Sequence, residues 1–363
     1  MSHLYHLKHT HHIKVPSLHH AATQQHAHNR TGAAWGKANC LCLTRGQLDD
    51  DNIFMKSVVT QQYLLGYELP DTVILLNLDG NCTVLATKKK CDFFRVAVGK
   101  APPGSKILDL NILERCKEDK NEANFATLIE QVKLNKDGDK VNIGCFAKEW
   151  DGNSEPKGTI VAGWQQKIEE TEEFEKVDIT PGIGLVMALK DQTELDLMKK
   201  SSVLSNKVLK HGFVPTLEKI IDSEQSVTHE QLATQIEEMI ENPSKIKLKV
   251  PPEHVQACYF PIVQSGGEYD IRLSATSTQK TLKYDIVTVS FGARYQFYCS
   301  NVSRTFLVDP PKRVSETYEL LLSVQEECLK VMVPGKSLKS VYYAAVNTLR
   351  QEGREDLIKK HVP

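Results

Sequence analysis

The pattern of apolar and polar positions along this chain falls into two halves that meet near Lys190. In the first half, strand-length apolar runs alternate with stretches of helical spacing. Residues 39–44 (NCLCLT) and 71–78 (DTVILLNL) predict strands, and Asp79-Gly80 is a hairpin signal leading into NCTVLATK. Residues 88–98 and 123–134 predict helices, 140–147 (KVNIGCFA) predicts a further strand, and a helix over 159–173 closes the set. That order predicts a mixed α/β lobe.

The second half opens with Asp191 and, three residues on, Glu194, a capping-box spacing; Leu197, Ser201, Leu204 and Val208 then share one helical face. Thr228 and Gln231 repeat the device ahead of Leu232, Ile236 and Met239. In SKIKLKV, Lys245, Lys247 and Lys249 alternate with Ile246, Leu248 and Val250, which predicts a half-buried strand. Further strands are predicted over 255–264, 285–291, 295–298 and 301–308, and helices over 314–332 and 338–351. The short connections imply antiparallel pairing and an α+β lobe. The expected divisions are a tail over 1–34, an amino-terminal lobe over 35–184 and a second lobe over 185–363.

Composition narrows the function classes. A chain of 363 residues with a formal net charge of -1 carries no overall basic footprint, so direct DNA binding is not expected. Nine cysteines without a CxxC pair indicate neither a zinc ribbon nor a disulfide framework, and suit a reducing compartment. No apolar run reaches the roughly 18 residues of a membrane span, and no signal peptide is expected. Nine of the 13 histidines lie within the first 30 residues, in a stretch without a periodic apolar face, which predicts a disordered tail.

Candidate chemistry concentrates in VSFGARYQFYCSNVSRTF, residues 289–306. Alternation places Ile286, Thr288 and Ser290 on one strand face, and Cys299, Asn301, Ser303 and Thr305 on one face of the next. Gly292 is expected to make the tight return between them. Pairing would bring positions 290 and 301 together, a geometry suited to metal-bridging groups.

This stretch resembles the signature of the creatinase and methionine aminopeptidase family, the pita-bread metallopeptidases. The resemblance implies that active members carry aspartates 11 positions apart, where this chain has Ser290 and Asn301, and a pocket histidine where it has Leu273. It therefore implies a pseudo-peptidase with three vestigial ligand positions, no metal and no cofactor. The remaining family ligands would lie beyond Pro363, so the second lobe is expected to be incomplete.

YLLGYELPDTVILL, FPIVQSGGEYD and YCSNVSRTFLVDP together resemble the amino-terminal domain of the large subunit of the FACT histone chaperone. That resemblance implies a creatinase-like α/β lobe followed by an α+β pita-bread pseudo-aminopeptidase lobe. It implies a non-catalytic, nuclear, chromosome-associated factor that reorganises nucleosomes in transcription, replication and repair. Its partners would be core histones and, through regions outside this chain, the small FACT subunit. An active metallo-aminopeptidase or prolidase with a displaced site, and an inert truncated paralogue, remain as alternatives.

An emptied cleft would suit a basic histone segment, with Gln264, Ser265, Gly266, Gly267, Arg294, Tyr298 and Asn301 as candidate lining. The plainer reading makes 265–267 a turn and Tyr298 core. Lys88, Lys89 and Lys90 form either a basic patch or a solvated helix face. Glu169, Glu170, Glu172, Glu173 and Glu175 form its acidic counterpart, more simply a solvated helix end. His211, His229 and His254 are expected to be structural or surface residues, and Cys299 a small buried residue.

Overall fold

The computed structural model describes residues 32–47, 54–98, 109–134, 136, 138–150, 158–272 and 274–358; residues 1–31, with most of the histidine-rich tail, and Leu273 lie outside them. Two compact units part between Lys190 and Asp191.

The first unit is built on a six-stranded sheet: β1 (Cys40–Arg45), β2 (Thr72–Asn77), β3 (Cys82–Ala86), β4 (Leu110–Glu114), β5 (Val141–Cys145) and β6 (Phe174–Asp178), in the order β4-β3-β2-β1-β5-β6. Pairing is antiparallel for β1–β2 and β2–β3, and parallel for β3–β4, β1–β5 and β5–β6. The apolar runs read as strands because both faces are covered, the usual reason a strand loses its alternation. Leu41, Leu43, Ile74 and Leu76 enter one core cluster, with Leu64 and Leu65 from α1 (Lys56–Leu65), Phe94 from α2 (Lys88–Val98) and Ile183 from α6 (Thr180–Ala188). Their alternates Cys40, Cys42, Val73 and Leu75 enter another, with Phe125 and Leu128 from α3 (Glu122–Lys133) and Trp164 from α5 (Thr159–Glu169); the short α4 (Ala147–Trp150) adds Trp150. Asp79-Gly80 makes the expected hairpin, with Gly80 at φ 98° and the Asn81 amide donating to Asp79 Oδ1 at 2.9 Å.

The helix expected over 159–173 ends at Glu169, and Phe174–Asp178 forms the edge strand β6. Of this short strand only Phe174 and Val177 pack on a core, one on each face of the sheet, and its charged positions hide the period of two.

The second unit starts with α7 (Gln192–Val208), whose capping box between Asp191 and Glu194 is formed as expected. A π-helical turn over Leu209–Phe213 joins α7 to α8 (Val214–Asp222). Pro215, in the first turn of α8, has no N–H to offer the His211 carbonyl, which suits a widened turn there. The second capping box, Thr228 with Gln231, opens α9 (His229–Glu241).

Two expected strands are corrected here. Residues 244–250 form no strand: Pro243–Ile246 is a 3-10 turn, Lys247 has φ 58°, and the Leu248 amide donates to the Pro243 carbonyl at 2.9 Å. Proline on each side, Pro243 and Pro251, isolates the segment from any ladder. Its alternation arises because Ile246 and Leu248 pack on the core. The strand expected over 255–264 is broken into β7 (Val255–Ala257) and β8 (Ile262–Gln264).

Both pair with β9 (Ile286–Tyr295), which pairs on its other edge with β10 (Tyr298–Leu307). β9 is one continuous strand, so Gly292 is not a return but lies inside it; the turn is made by Gln296 and Phe297, at φ 44° and 76°. A Cβ at position 292 would come within 2.5 Å of the Ser300 carbonyl, so glycine is required by close backbone approach. Val287, Val289, Phe291 and Ala293 are buried with α8 and α9 side chains in one core. Helices α10 (Lys312–Val331) and α11 (Leu338–Gln351) complete the unit, close to their expected bounds. Among the described residues, no helix is long and apolar enough to cross a membrane.

Candidate binding face of the second unit

In the β9–β10 ladder, Ser303 lies opposite Ser290, and Asn301 lies opposite Gly292. Positions 290 and 301 are therefore diagonal neighbours on one sheet face. A third residue, which the sequence pattern did not disclose, joins them. Between the Ala257–Ala293 and Ile262–Ser290 pairs, residues 258–261 stand against only Phe291 and Gly292, so this strand bulges. The bulge carries Tyr259, whose hydroxyl lies 2.9 Å from Ser290 Oγ, with the Asn301 side chain also acting on it. Desolvation raises the Tyr259 pKa, outweighing the two hydrogen bonds that lower it, so the phenol stays protonated at neutral pH. The group formed by Ser290, Tyr259 and Asn301 is neutral. Among the described residues, no three His, Cys, Asp or Glu side chains are grouped as a metal ion would require.

The opposite face of the hairpin is locked to α7. Ser300 Oγ lies 2.9 Å from Ser201 Oγ and 2.7 Å from Ser205 Oγ, and Ser201 Oγ donates to the Ala293 carbonyl at 2.7 Å. Tyr298 donates to Glu194 Oε1 at 2.8 Å, so the carboxylate that caps α7 also ties β10 to it. Arg294 donates to Gln256 Oε1 at 3.2 Å and lies 5.1 Å from the centre of the Phe297 ring.

The remaining cleft candidates lie at the other end of β8. Gln264, Ser265 and Gly266 line a cavity of about 840 Å³ with His229, Tyr269 and Lys283. Their polar atoms already hold the loop together. Gln264 exchanges two hydrogen bonds with the Asp270 backbone at 3.0 and 3.1 Å, and Ser265 Oγ meets His229 Nε2 at 2.8 Å. Gly266 and Gly267 have φ of 81° and 87°, so a left-handed turn dictates their identity. Neither Arg294 nor Tyr298 lines this cavity.

In the first unit, Lys88 and Lys89 are exposed at the start of α2, whereas Lys90 reaches the Pro70 carbonyl. The acidic run is partly neutralised: Glu173 pairs with Lys133 and, at 2.8 Å, with Lys136, and Glu175 lies 3.6 Å from Lys140.

Residues 196–362 match metallopeptidase family M24. An X-Pro aminopeptidase from Thermotoga maritima has the same fold, with a TM-score of 0.58 and 16% identity over 87% of this chain and 76% of that one. The second unit is an M24-type, pita-bread lobe. Residues 8–182 match the family described as FACT complex subunit SPT16 N-terminal lobe domain. The solved N-terminal domain of FACT complex subunit SPT16 from chickpea superposes with a TM-score of 0.78 at 28% identity, over 93% of this chain and 77% of that one. FACT complex subunit SPT16 of Dictyostelium discoideum is 35% identical over 337 residues, 92% of this chain. This chain belongs to the family of SPT16 N-terminal domains. It spans 30% of the length of the Dictyostelium relative.

Proposed function

We propose that this chain serves as a non-catalytic component of a FACT complex in the nucleus, and that its second unit binds core histones rather than hydrolysing peptides. The carrying observation is the neutral group formed by Ser290, Tyr259 and Asn301 on the face where active pita-bread enzymes hold two aspartates. Hard divalent cations select carboxylate oxygen. At about 4 Å and an effective dielectric near 20, each missing unit charge forfeits about 8 kcal/mol of attraction to a divalent ion. These residues do not fit a dinuclear metal centre, and we derive no hydrolytic step from them.

What favours a binding role is the pairing of this face with a polar cavity beside it in the same unit. Peptide can be held by such surfaces through main-chain hydrogen bonds and charged side chains without any chemistry. Roles in transcription, replication and repair, and association with FACT's smaller subunit, follow from membership in the complex. We assign the subunit contact to stretches of the longer relatives outside the matched region. Isothermal titration with purified core histones, beside a manganese-supplemented Xaa-Pro dipeptide assay, tests the reading. Saturable heat with histones and no dipeptide turnover is expected. Turnover without histone binding would return the chain to the peptidases.

A further inference from the structure

Cys299 is exposed, not the buried small residue that its sequence neighbours suggest, and it is the only exposed cysteine of the nine. It lies on β10 opposite Arg294 of β9. A second thiol reaches it from the far side of β9. Cys258, first residue of the bulge, donates its amide to the Gly292 carbonyl at 2.9 Å. Its side chain occupies the space that a residue larger than glycine would fill at 292: an added Cβ there would lie 3.2 Å from Cys258 Cβ and 3.3 Å from its Sγ. Crossing there, the Cys258 thiol lies 3.9 Å from the carbonyl of Ser300, the residue next to Cys299 on β10. Gly292 and the bulge thus bring together two cysteines separated by a whole strand.

We propose that Cys299 is a thiol-modification site for low-molecular-weight disulfides, with Cys258 the hydrogen-bond donor that holds its thiolate and Arg294 the neighbouring cation. The hydrogen bond from Cys258, opposed by partial desolvation and helped by the charge of Arg294, lowers Cys299 to about 7, and these are the titratable and charged groups acting on it. The same hydrogen bond, followed by burial, raises Cys258, which therefore keeps its proton and remains the donor. In the reaction the Cys299 thiolate attacks one sulfur of a disulfide RSSR. A Cys299–S–SR bond forms as the reagent's S–S bond breaks. The electron pair leaves on RS⁻, which takes a proton from water. Cys299 is oxidised and the departing sulfur reduced; excess thiol reverses the step.

At pH 7 a thiol of pKa about 7 is half ionised, about 16-fold more than an ordinary one near 8.5. Its weaker intrinsic nucleophilicity returns part of that, leaving roughly threefold faster reaction at pH 7 and roughly sixfold at pH 6. The inference does not rest on histone binding. Its test is the pH–rate profile of iodoacetamide labelling at Cys299 in the full chain, read by peptide mass spectrometry, together with treatment by oxidised glutathione. The expected midpoint is near pH 7, rising by about one unit or more in Cys258→Ala and falling back in Cys258→Ser, which keeps a donor. Oxidised glutathione should add to the Cys299 peptide, and this adduct should be absent in Cys299→Ser. An internal Cys258–Cys299 disulfide requires the same first attack and counts with it. A midpoint near 8.5 in all forms, or glutathione mainly on another cysteine, overturns the proposal.

Discussion

The two units each carry a sheet, and the sheets are finished differently. Every position of β2 and β3 is buried, because helices cover both faces of the first. In the second, β9 buries Val287, Val289, Phe291 and Ala293 on one face, while on the other Asn301 and Ser303 of β10 remain exposed and Ser290 half-buried. A sheet closed on both sides offers structure only. One packed on a single side keeps a rigid, addressable surface, and this is where the polar group, the paired thiols and the bulge all occur.

Four perturbations separate the sheets. Trp164→Ala should have the largest effect: the side chain is fully buried, packs on Phe125 and donates to Cys42 Sγ at 3.2 Å. A loss of about 3–5 kcal/mol in urea unfolding is expected, confined to the first unit. Gly292→Ala should cost the second unit about 1–3 kcal/mol, because the added methyl meets backbone at 2.5 Å. A thermal midpoint unchanged in that variant would mean that the hairpin slides freely. Tyr259→Phe should cost about 1 kcal/mol through loss of one hydroxyl shared by Ser290 and Asn301, and leave the first unit's transition unmoved.

The smallest effect is a difference in acid response. Burial, then the charge of Lys280, lower the pKa of His229 below 6.5, so the folded second unit favours neutral imidazole. Its contribution is complete above about pH 6.5 and declines as pH falls below that value. In the first unit, hydrogen bonds from Lys133 and Lys136 hold Glu173 down to about 2 from 4.5, so its contribution is present above about 4.5 and is lost toward 2. The pH dependence of stability between pH 7 and pH 5 should therefore flatten in His229→Gln and keep its slope in Glu173→Gln, which lowers stability evenly across that range.

Much of this was legible where one local signal decided the outcome. Capping boxes at Asp191 and Thr228 located α7 and α9, and Asp79-Gly80 located its hairpin. Edge strands were harder, since β6 presents Glu175 and Lys176 to solvent in place of an apolar period. Gly292 is ambiguous in sequence: glycine marks either a turn or a close approach, and only the pairing of Gly292 with Asn301 distinguishes them. Ser290 and Asn301 were placed on one face by alternation alone. Tyr259 and Cys258 left no trace in the pattern, because a bulge is a property of two strands in register. Pro261, which closes it, was the one available hint.

The β9–β10 turn shows what the hairpin sacrifices for position. Gln296 and Phe297 both occupy left-handed backbone, where an Asn-Gly pair would sit without strain, at a cost of about 1–2 kcal/mol each. Phe297 supplies the ring beneath Arg294, which a glycine could not. A consensus-minded redesign of this corner would thus gain melting temperature while unfastening the guanidinium that faces Cys299, making a sturdier protein with a duller thiol.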